Sequence, residues 1–151
     1  MRKGYSMENE FKSPEILELL KKKLSGDNKL MVAIAETMRT AVLKNFETEG
    51  ARLGKKWQPL SLKTWMQRQK KGYTGPILQR TGQLKRSIVS SYGENYAQVS
   101  TNLIYAAIHH YGGQAGRNKK VNIPARPFMQ LNNDDLEKIK KKIISALTKG
   151  E

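Results

Sequence analysis

The 151-residue chain contains no cysteine, which excludes disulfide bonds, thiol catalysis and cysteine-ligated zinc. It also has no apolar run close to the roughly 20 residues that a membrane-spanning helix needs. The N-terminus carries basic residues but no apolar stretch behind them, so it does not match a secretory signal. We therefore expect a soluble intracellular protein without membrane contact.

Acidic residues are scarce in the middle of the chain. Of the 13 Asp and Glu residues, only Glu94 falls within residues 50–133, which hold half of the 28 Lys and Arg residues. The formal net charge is +15, and most of the excess lies in this middle part. A field of this sign attracts nucleic acid or an acidic protein surface. A negatively charged partner is expected, and the charge alone leaves its class open.

The two ends of the chain are predicted to be helical. A first helix begins at Ser13-Pro14, a favourable N-cap followed by proline at the first helical position. A second, longer helix begins after Asp27 and stops at Gly50, and its apolar residues recur at three- and four-residue steps. A C-terminal helix begins at Asp134, with lysines on its solvent faces. These helices frame the basic middle.

The middle predicts loops, one hairpin and short elements. Residues 51–76 are rich in Gly, Pro, Lys and aromatics, which indicates a loop with a short helix near 62–69. Two segments around a Tyr-Gly-Glu-Asn turn predict a β-hairpin, with strands at 84–91 and 96–101. The elements expected after it are a short helix over 104–111, a flexible loop over 112–120 and a strand over 121–123.

Together these elements predict an α+β fold, a small antiparallel β-sheet packed with N-terminal and C-terminal helices and joined by long basic loops. The length fits a single domain over residues 1–151. We expect residues 1–12 to be flexible, and residues 51–76 and 112–120 to be the long loops.

The two histidines of the chain, His109 and His110, are adjacent in the stretch YAAIHHYGG. Neighbouring residues on a helix point about 100° apart, so this pair does not chelate one metal, and there is no third histidine. General acid–base catalysis by one histidine beside Arg126, as in a metal-free nuclease, is the catalytic alternative. The favoured interpretation is a histidine packed among aromatics, with no metal, no cofactor and no enzymatic activity.

Aromatic and basic residues are interleaved between residues 52 and 73. Such a surface suits stacking and charge contacts with nucleic acid. It suits a protein interface equally well, because Trp, Tyr and Arg are the usual anchors there. The candidate docking residues are Lys55, Lys56, Trp65, Arg68, Lys70 and Lys71.

Four segments occur in an order that resembles the phage virion morphogenesis family, the tail-completion proteins of Mu-like and related contractile-tailed phages and prophages. They are FETEGARLGKKWQPLSLKT (46–64), ILQRTGQLKRSI (77–88), YAAIHHYGG (105–113) and IPARPFMQL (123–131). The resemblance covers roughly residues 14–148. The matching positions that we take as structural or interaction residues are Trp57, Thr81, Gly82, Leu84, Tyr105, His109, Gly112, Arg126, Pro127 and Phe128.

This resemblance implies a structural protein that completes or terminates the phage tail at its head-proximal end and supports head–tail joining. Self-association into a ring, with a hexamer as the candidate, is then expected, as are tail tube and head-connector partners. Non-specific DNA contact is a further expectation. The implied location is the tail or neck of the virion, with assembly in the host cytoplasm. His109 is expected to seat the short helix against the sheet. The alternative function remains a basic nucleic-acid-binding protein or metal-free nuclease.

Overall fold

The helices and strands of residues 14–148, the part of the chain that the computed structural model describes, confirm the α+β class. The helices are α1 (Pro14–Leu24), α2 (Asn28–Glu47), α3 (Leu62–Lys70), α4 (Gln83–Arg86), α5 (Ala106–Tyr111) and α6 (Asn133–Thr148). The strands are β1 (Val89–Tyr92), β2 (Ala97–Ser100), β3 (Gly113–Ala115) and β4 (Val121–Ile123). The predicted flexibility of residues 1–12 and the predicted cap at Ser13 lie outside the described residues. None of the helices in the described part is long and apolar enough to cross a bilayer.

The start of α2, the end of α2 and the short helix inside the basic loop are where the sequence predicts them. The Asp27 carboxylate accepts a hydrogen bond from the Leu30 backbone N–H at 2.9 Å and so caps α2. The Ser61 hydroxyl accepts one from Thr64 N–H at 3.2 Å at the start of α3, the short helix expected inside the basic loop. After α2 the backbone turns through Gly50, whose φ of 81° favours glycine. These three predictions are confirmed.

The predicted hairpin is present, but its first strand is shorter than expected. Strands β1 and β2 pair antiparallel, with Val89 opposite Ser100 and Tyr92 opposite Ala97. The residues before β1, expected to be strand from Leu84 onward, form the helical turn α4 instead. A helical turn places Leu84 and Ile88, four residues apart, on one side of the chain, and both are buried in the core.

The expectation of one sheet and a flexible 112–120 loop was wrong. Strand β3 lies inside that segment and pairs antiparallel with β4, with Gly113 opposite Ile123. The residues described therefore contain two separate two-stranded sheets. The glycine-rich composition suggested a loop, whereas pairing with β4 provides partners for the backbone groups on one edge of β3.

The centre of the hydrophobic core is a group of three aromatic rings. Phe46 on α2 meets Trp57 edge to face with ring centroids 5.9 Å apart, and it meets Phe128 at 5.2 Å. These three residues come from distant parts of the sequence, and all are buried. They join α2 to the loop before α3 and to the segment before α6. The other buried core residues around them are Val42, Ile77, Leu84, Ile88 and Ala106.

Beside this core, the fully buried Asn45 connects α2 to the segment that follows β4. Its Nδ2 donates to the carbonyl oxygens of Phe128 at 2.7 Å and Gln130 at 2.8 Å. Its Oδ1 accepts from Nη1 of Arg52 at 2.7 Å. The bond to Phe128 is buried and the other two are partly buried, so the Asn45 amide supplies partners to groups that have little access to water.

The start of α6 is attached to the same network through Asp135. The carboxylate of Asp135 forms an ion pair with Arg52 and accepts from Asn132 N–H at 2.9 Å. The side chain of Asn132 in turn accepts from Asp135 N–H at 2.9 Å, which is a reciprocal N-terminal cap. Burial would raise the pKa of Asp135, but these bonds to Arg52 and Asn132 outweigh it and lower the pKa. This stabilisation is complete above the unfolded pKa and is lost as the pH falls through the lower folded value.

We predict that Asn45→Leu destabilises the protein by at least about 2 kcal/mol, because the carbonyls of Phe128 and Gln130 lose their donor and the Arg52 guanidinium loses one of its acceptors. Urea unfolding followed by tryptophan fluorescence measures the change in the free energy of unfolding. The control is Asn122→Leu on the exposed face of β4, which is expected to change stability by less than about 0.5 kcal/mol. Equal losses in the two variants would contradict a structural role for the Asn45 network.

Candidate functional site

Residues 124–129, which we call the proline corner, link β4 to the segment before α6. Prolines at 124 and 127 lack an N–H and keep the backbone out of regular structure. Side chains from other segments therefore form the hydrogen bonds that the backbone groups of the corner need. The indole Nε1 of Trp57 donates to the Pro127 carbonyl at 2.8 Å, and the carbonyl of Phe128 accepts from Asn45. The corner is thus fixed to the core by polar bonds as well as by packing.

Arg126 anchors the corner to the loop before α3. Its Nε donates to the Gln58 carbonyl at 2.9 Å and its Nη2 to the Pro59 carbonyl at 3.2 Å. Its backbone N–H donates to the carbonyl of His109 at 2.9 Å, which joins the corner to α5. The side chain is 6% exposed, and burial lowers the pKa of its guanidinium. Pro124 and Pro127 restrict the backbone around Arg126. Arg126 thereby contacts both the loop before α3 and the helix α5.

Gly112 lets the end of α5 approach the corner. Its φ is 75°, a left-handed value that favours glycine. A Cβ atom at this position would lie 2.7 Å from the Ala125 nitrogen and 2.9 Å from the Ile123 carbonyl oxygen. Both neighbours are backbone atoms that cannot rotate away, so this contact requires glycine.

The two histidines of α5 have different surroundings. His110 Nδ1 accepts from the backbone N–H groups of Phe128 and Met129, each at 3.3 Å, and its ring lies edge-on to Phe128 at 5.3 Å. His109 instead holds the corner through its backbone carbonyl, and its ring packs edge-on against Tyr105 at 5.9 Å. The imidazole that bonds to the corner therefore belongs to His110, a residue that sequence reasoning did not single out. Nothing in the sequence distinguishes two adjacent histidines in this respect.

A cavity of about 420 Å³ lies beside the corner, between α3, α4 and α5. It collects six of the ten residues that the family motifs indicated: Thr81, Gly82, Leu84, Tyr105, His109 and Arg126. The other four, Trp57, Gly112, Pro127 and Phe128, lie in the core and at the corner itself. The motifs are far apart in sequence, yet in the fold their residues either line this one cavity or pack directly behind it.

The candidate docking residues divide into two groups. Lys55, Lys56, Lys70 and Lys71 are exposed, and Trp65 on α3 is 52% exposed. Arg68 differs from the expectation, because it is only 8% exposed and its Nη2 donates to the carbonyls of Gly75 at 2.8 Å and Pro76 at 3.2 Å. Arg68 faces the cavity from α3 rather than the outer surface, because it lies one helical turn after the cavity-lining Thr64.

The cavity is strongly positive. Three arginines line it, Arg68, Arg80 and Arg126, and no Asp or Glu among the described residues does. Arg80 also stacks on the Tyr73 ring at 4.7 Å. Burial, and then the charge of Arg126, lower the pKa of His109, so its imidazole is neutral near pH 7. This set of groups can hold an anion by charge and hydrogen bonds. Residues 14–148 contain no cluster of three or more His, Asp or Glu side chains placed to bind a metal ion.

The hydrogen bonds of His110 generate a prediction about pH. Burial lowers the pKa of His110 below its ordinary value of 6.5. The neutral ring stabilises the fold, so this stability is present above about pH 6.5 and is lost as the pH falls through the lower folded value. We predict that His110→Gln, which keeps an acceptor, makes the loss of unfolding free energy between pH 7 and 5 shallower.

Urea titrations at several pH values measure this slope. The matched variant is His109→Gln, which removes only the separate contribution of His109, and the double variant should be shallower than either. The Asp135 carboxyl, with a pKa below 3.8, titrates outside this window. An unchanged slope in His110→Gln would show that the Nδ1 contacts do not couple to folding.

Comparison with known proteins agrees with the motif order. The family model described as the phage virion morphogenesis family matches residues 12–148. Mu-like prophage FluMu G protein 2 of Haemophilus influenzae is 44% identical over 106 residues, which cover 70% of this chain and 67% of the relative. The putative capsid assembly protein G of Escherichia phage Mu is 35% identical over 126 residues, which cover 76% and 81%. No solved structure matches the chain.

The family model spans the elements that build the cavity, from the end of α2 through the proline corner to α6, and both relatives come from Mu or Mu-like prophages. The chain therefore belongs to the phage virion morphogenesis family.

Proposed function

We propose that this protein is a structural component that completes the phage tail at its head-proximal end and supports head–tail joining, and that it is not an enzyme. Membership of the family makes it a protein of phage particle assembly. The observation that carries the proposal is the outer face of α3. Leu62, Trp65 and Met66 share this face and are 72%, 52% and 52% exposed. Lysines surround them, as expected of a docking surface for an acidic partner.

Self-association into a ring is the second part of the proposal. A ring needs two different contact surfaces on each copy, because each copy meets a neighbour on both sides. In the described residues each strand pairs with a single partner, so both hairpins retain free edges. The β1–β2 hairpin also exposes Val89, Tyr92 and Tyr96, each by about half. Edge pairing between copies would use these groups and leave α3 free for other partners. A hexamer is the candidate ring size.

The tail tube and the head connector are the proposed partners, which would place the protein in the tail or neck of the virion after assembly in the host cytoplasm. Weak, sequence-independent contact with DNA fits the positive charge as well. A cleft of about 1090 Å³ between α1, α2 and α6 is lined by six lysines and by the three acidic residues Asp27, Glu36 and Asp135, so lysines outnumber carboxylates there. Such binding would fall steeply with salt. The cleft-lining lysines are Lys23, Lys29, Lys44, Lys138, Lys141 and Lys142.

Deletion of the gene from its phage or prophage tests the stage of assembly at which the protein acts. After induction, negative-stain electron microscopy should show filled heads apart from tails, or tails of irregular length. The Mu relative is described as a putative capsid assembly protein, so missing or misshapen heads beside normal tails would place the function at the capsid instead. Normal infectious particles would refute both roles.

We predict that Trp65→Ala lowers the yield of infectious particles at least about tenfold when it replaces the natural protein, because an exposed tryptophan anchor commonly contributes 2 kcal/mol or more to an interface. The fold should stay intact by circular dichroism, because Trp65 is half exposed and is not part of the hydrophobic core. The control is Tyr111→Ala, which removes an aromatic ring that is 78% exposed on α5. A normal titre with Trp65→Ala would exclude α3 as the docking surface.

A further inference from the structure

The arginine-lined cavity contains unused hydrogen-bonding capacity. Among the described residues, the buried side-chain nitrogen and oxygen atoms that lack a hydrogen-bond partner are Nε of Arg68 and Nδ1 of His109. Both residues line this one cavity. Buried polar atoms are nearly always paired in folded proteins, and unpaired ones need an explanation. Both atoms are covered in this arrangement, so an anion in the adjacent positive cavity would become their partner if the side chain turned toward it.

The chemistry of the wall defines that ligand. Three guanidinium groups without an acidic neighbour among the described lining residues favour an anion, and arginine suits the planar, two-oxygen geometry of a carboxylate. The remaining wall is partly apolar, with Leu60, Leu78 and Leu84. The volume of about 420 Å³ falls in the range of ordinary ligand sites. A ligand with a carboxylate on an apolar or peptide-like backbone would match both the arginines and the leucines of the wall.

We propose that this cavity receives an Asp or Glu side chain on a segment of a different protein with which this chain assembles. The existence of that assembly partner rests on the proposed function, whereas the carboxylate site rests on the cavity alone. The partner residue would enter between α3 and α5 and meet Arg68, Arg80 and Arg126. The exposed face of α3 would then contact the part of the partner segment that stays outside the cavity.

A DNA phosphate is a poorer occupant for this site. Arg68 and Arg126 are 8% and 6% exposed, and both are held by backbone carbonyls inside the fold. A duplex is a wide, stiff rod whose phosphates contact side chains that extend from the protein surface. A single acidic side chain on an extended peptide can enter a recessed cavity of this size.

Nuclear magnetic resonance of the full chain tests the site directly. The probe is the blocked tripeptide acetyl-Leu-Glu-Leu-amide, and the matched probe is acetyl-Leu-Gln-Leu-amide. The Glu peptide should shift the Nε–H signals of Arg68 and Arg126 in a saturable manner, and it should raise the pKa of His109. The Gln peptide should bind at least about tenfold more weakly, the equivalent of roughly 1.4 kcal/mol.

Two variants assign the binding to the cavity. Arg80→Gln removes a cavity charge that holds no backbone carbonyl, and it should weaken the Glu peptide at least about tenfold. Arg117→Gln makes the same charge change at an exposed position between β3 and β4 and should leave binding unchanged. Arg68→Gln adds a second measurement if its fold is intact by the amide spectrum.

Several results would overturn the inference. They are the absence of saturation up to about 10 mM Glu peptide, equal binding of both peptides, and stronger binding of a thymidine oligonucleotide that displaces the Glu peptide. If the protein self-associates and Arg80→Gln abolishes this self-association, a second copy occupies the cavity. This result would also overturn the inference. If binding fails while the gene deletion still yields detached tails, only the site is wrong. If binding holds while deletion yields normal particles, only the proposed function is wrong.

Discussion

The structure depends on satisfying the backbone of the proline corner. Residues 124–129 cannot join a helix or a sheet, because two prolines remove donors and force extended geometry. Trp57, Asn45 and His110 supply the missing partners from three other segments. Each of these side chains also packs in or beside the aromatic core, so the polar bonds and the apolar packing stabilise the same arrangement.

This arrangement also fixes the walls of the cavity. Arg126 holds the loop before α3 through two carbonyls, and its backbone holds α5 through His109. The cavity therefore sits on rigid support, with its charges placed before any ligand arrives. Preorganisation of this kind reduces the ordering cost of binding. It also explains why motif residues from distant parts of the sequence meet at one site.

Local signals in the sequence predicted much of the fold. The cap at Asp27, the apolar spacing in α2, and the turn between β1 and β2 act within a few residues. The pairing of β3 with β4 was missed because both strands have only three residues and the sequence around β3 is rich in glycine, which is typical of a loop. The start of β1 was placed too early because Leu84 and Ile88 fit a helical turn and a strand about equally well.

The site was less accessible to sequence reasoning. The motif order indicated the residues that build the cavity, since six of them line it. The burial of Arg68 and the roles of Asn45, Arg52 and His110 depend on contacts across the fold, and no local pattern reports these. Arg68 shows the limit clearly, because it lies among exposed lysines in the sequence and yet faces inward.

The excess positive charge has a consequence for the timing of assembly. Copies with a net charge of +15 repel one another at close range, although salt limits this repulsion to about 8 Å in the cell. The same copies carry an exposed apolar face on α3, the proposed docking surface for a different protein. In the proposed function, an acidic partner would neutralise this charge where it is present, so association would be favoured at the growing particle rather than between free copies in solution.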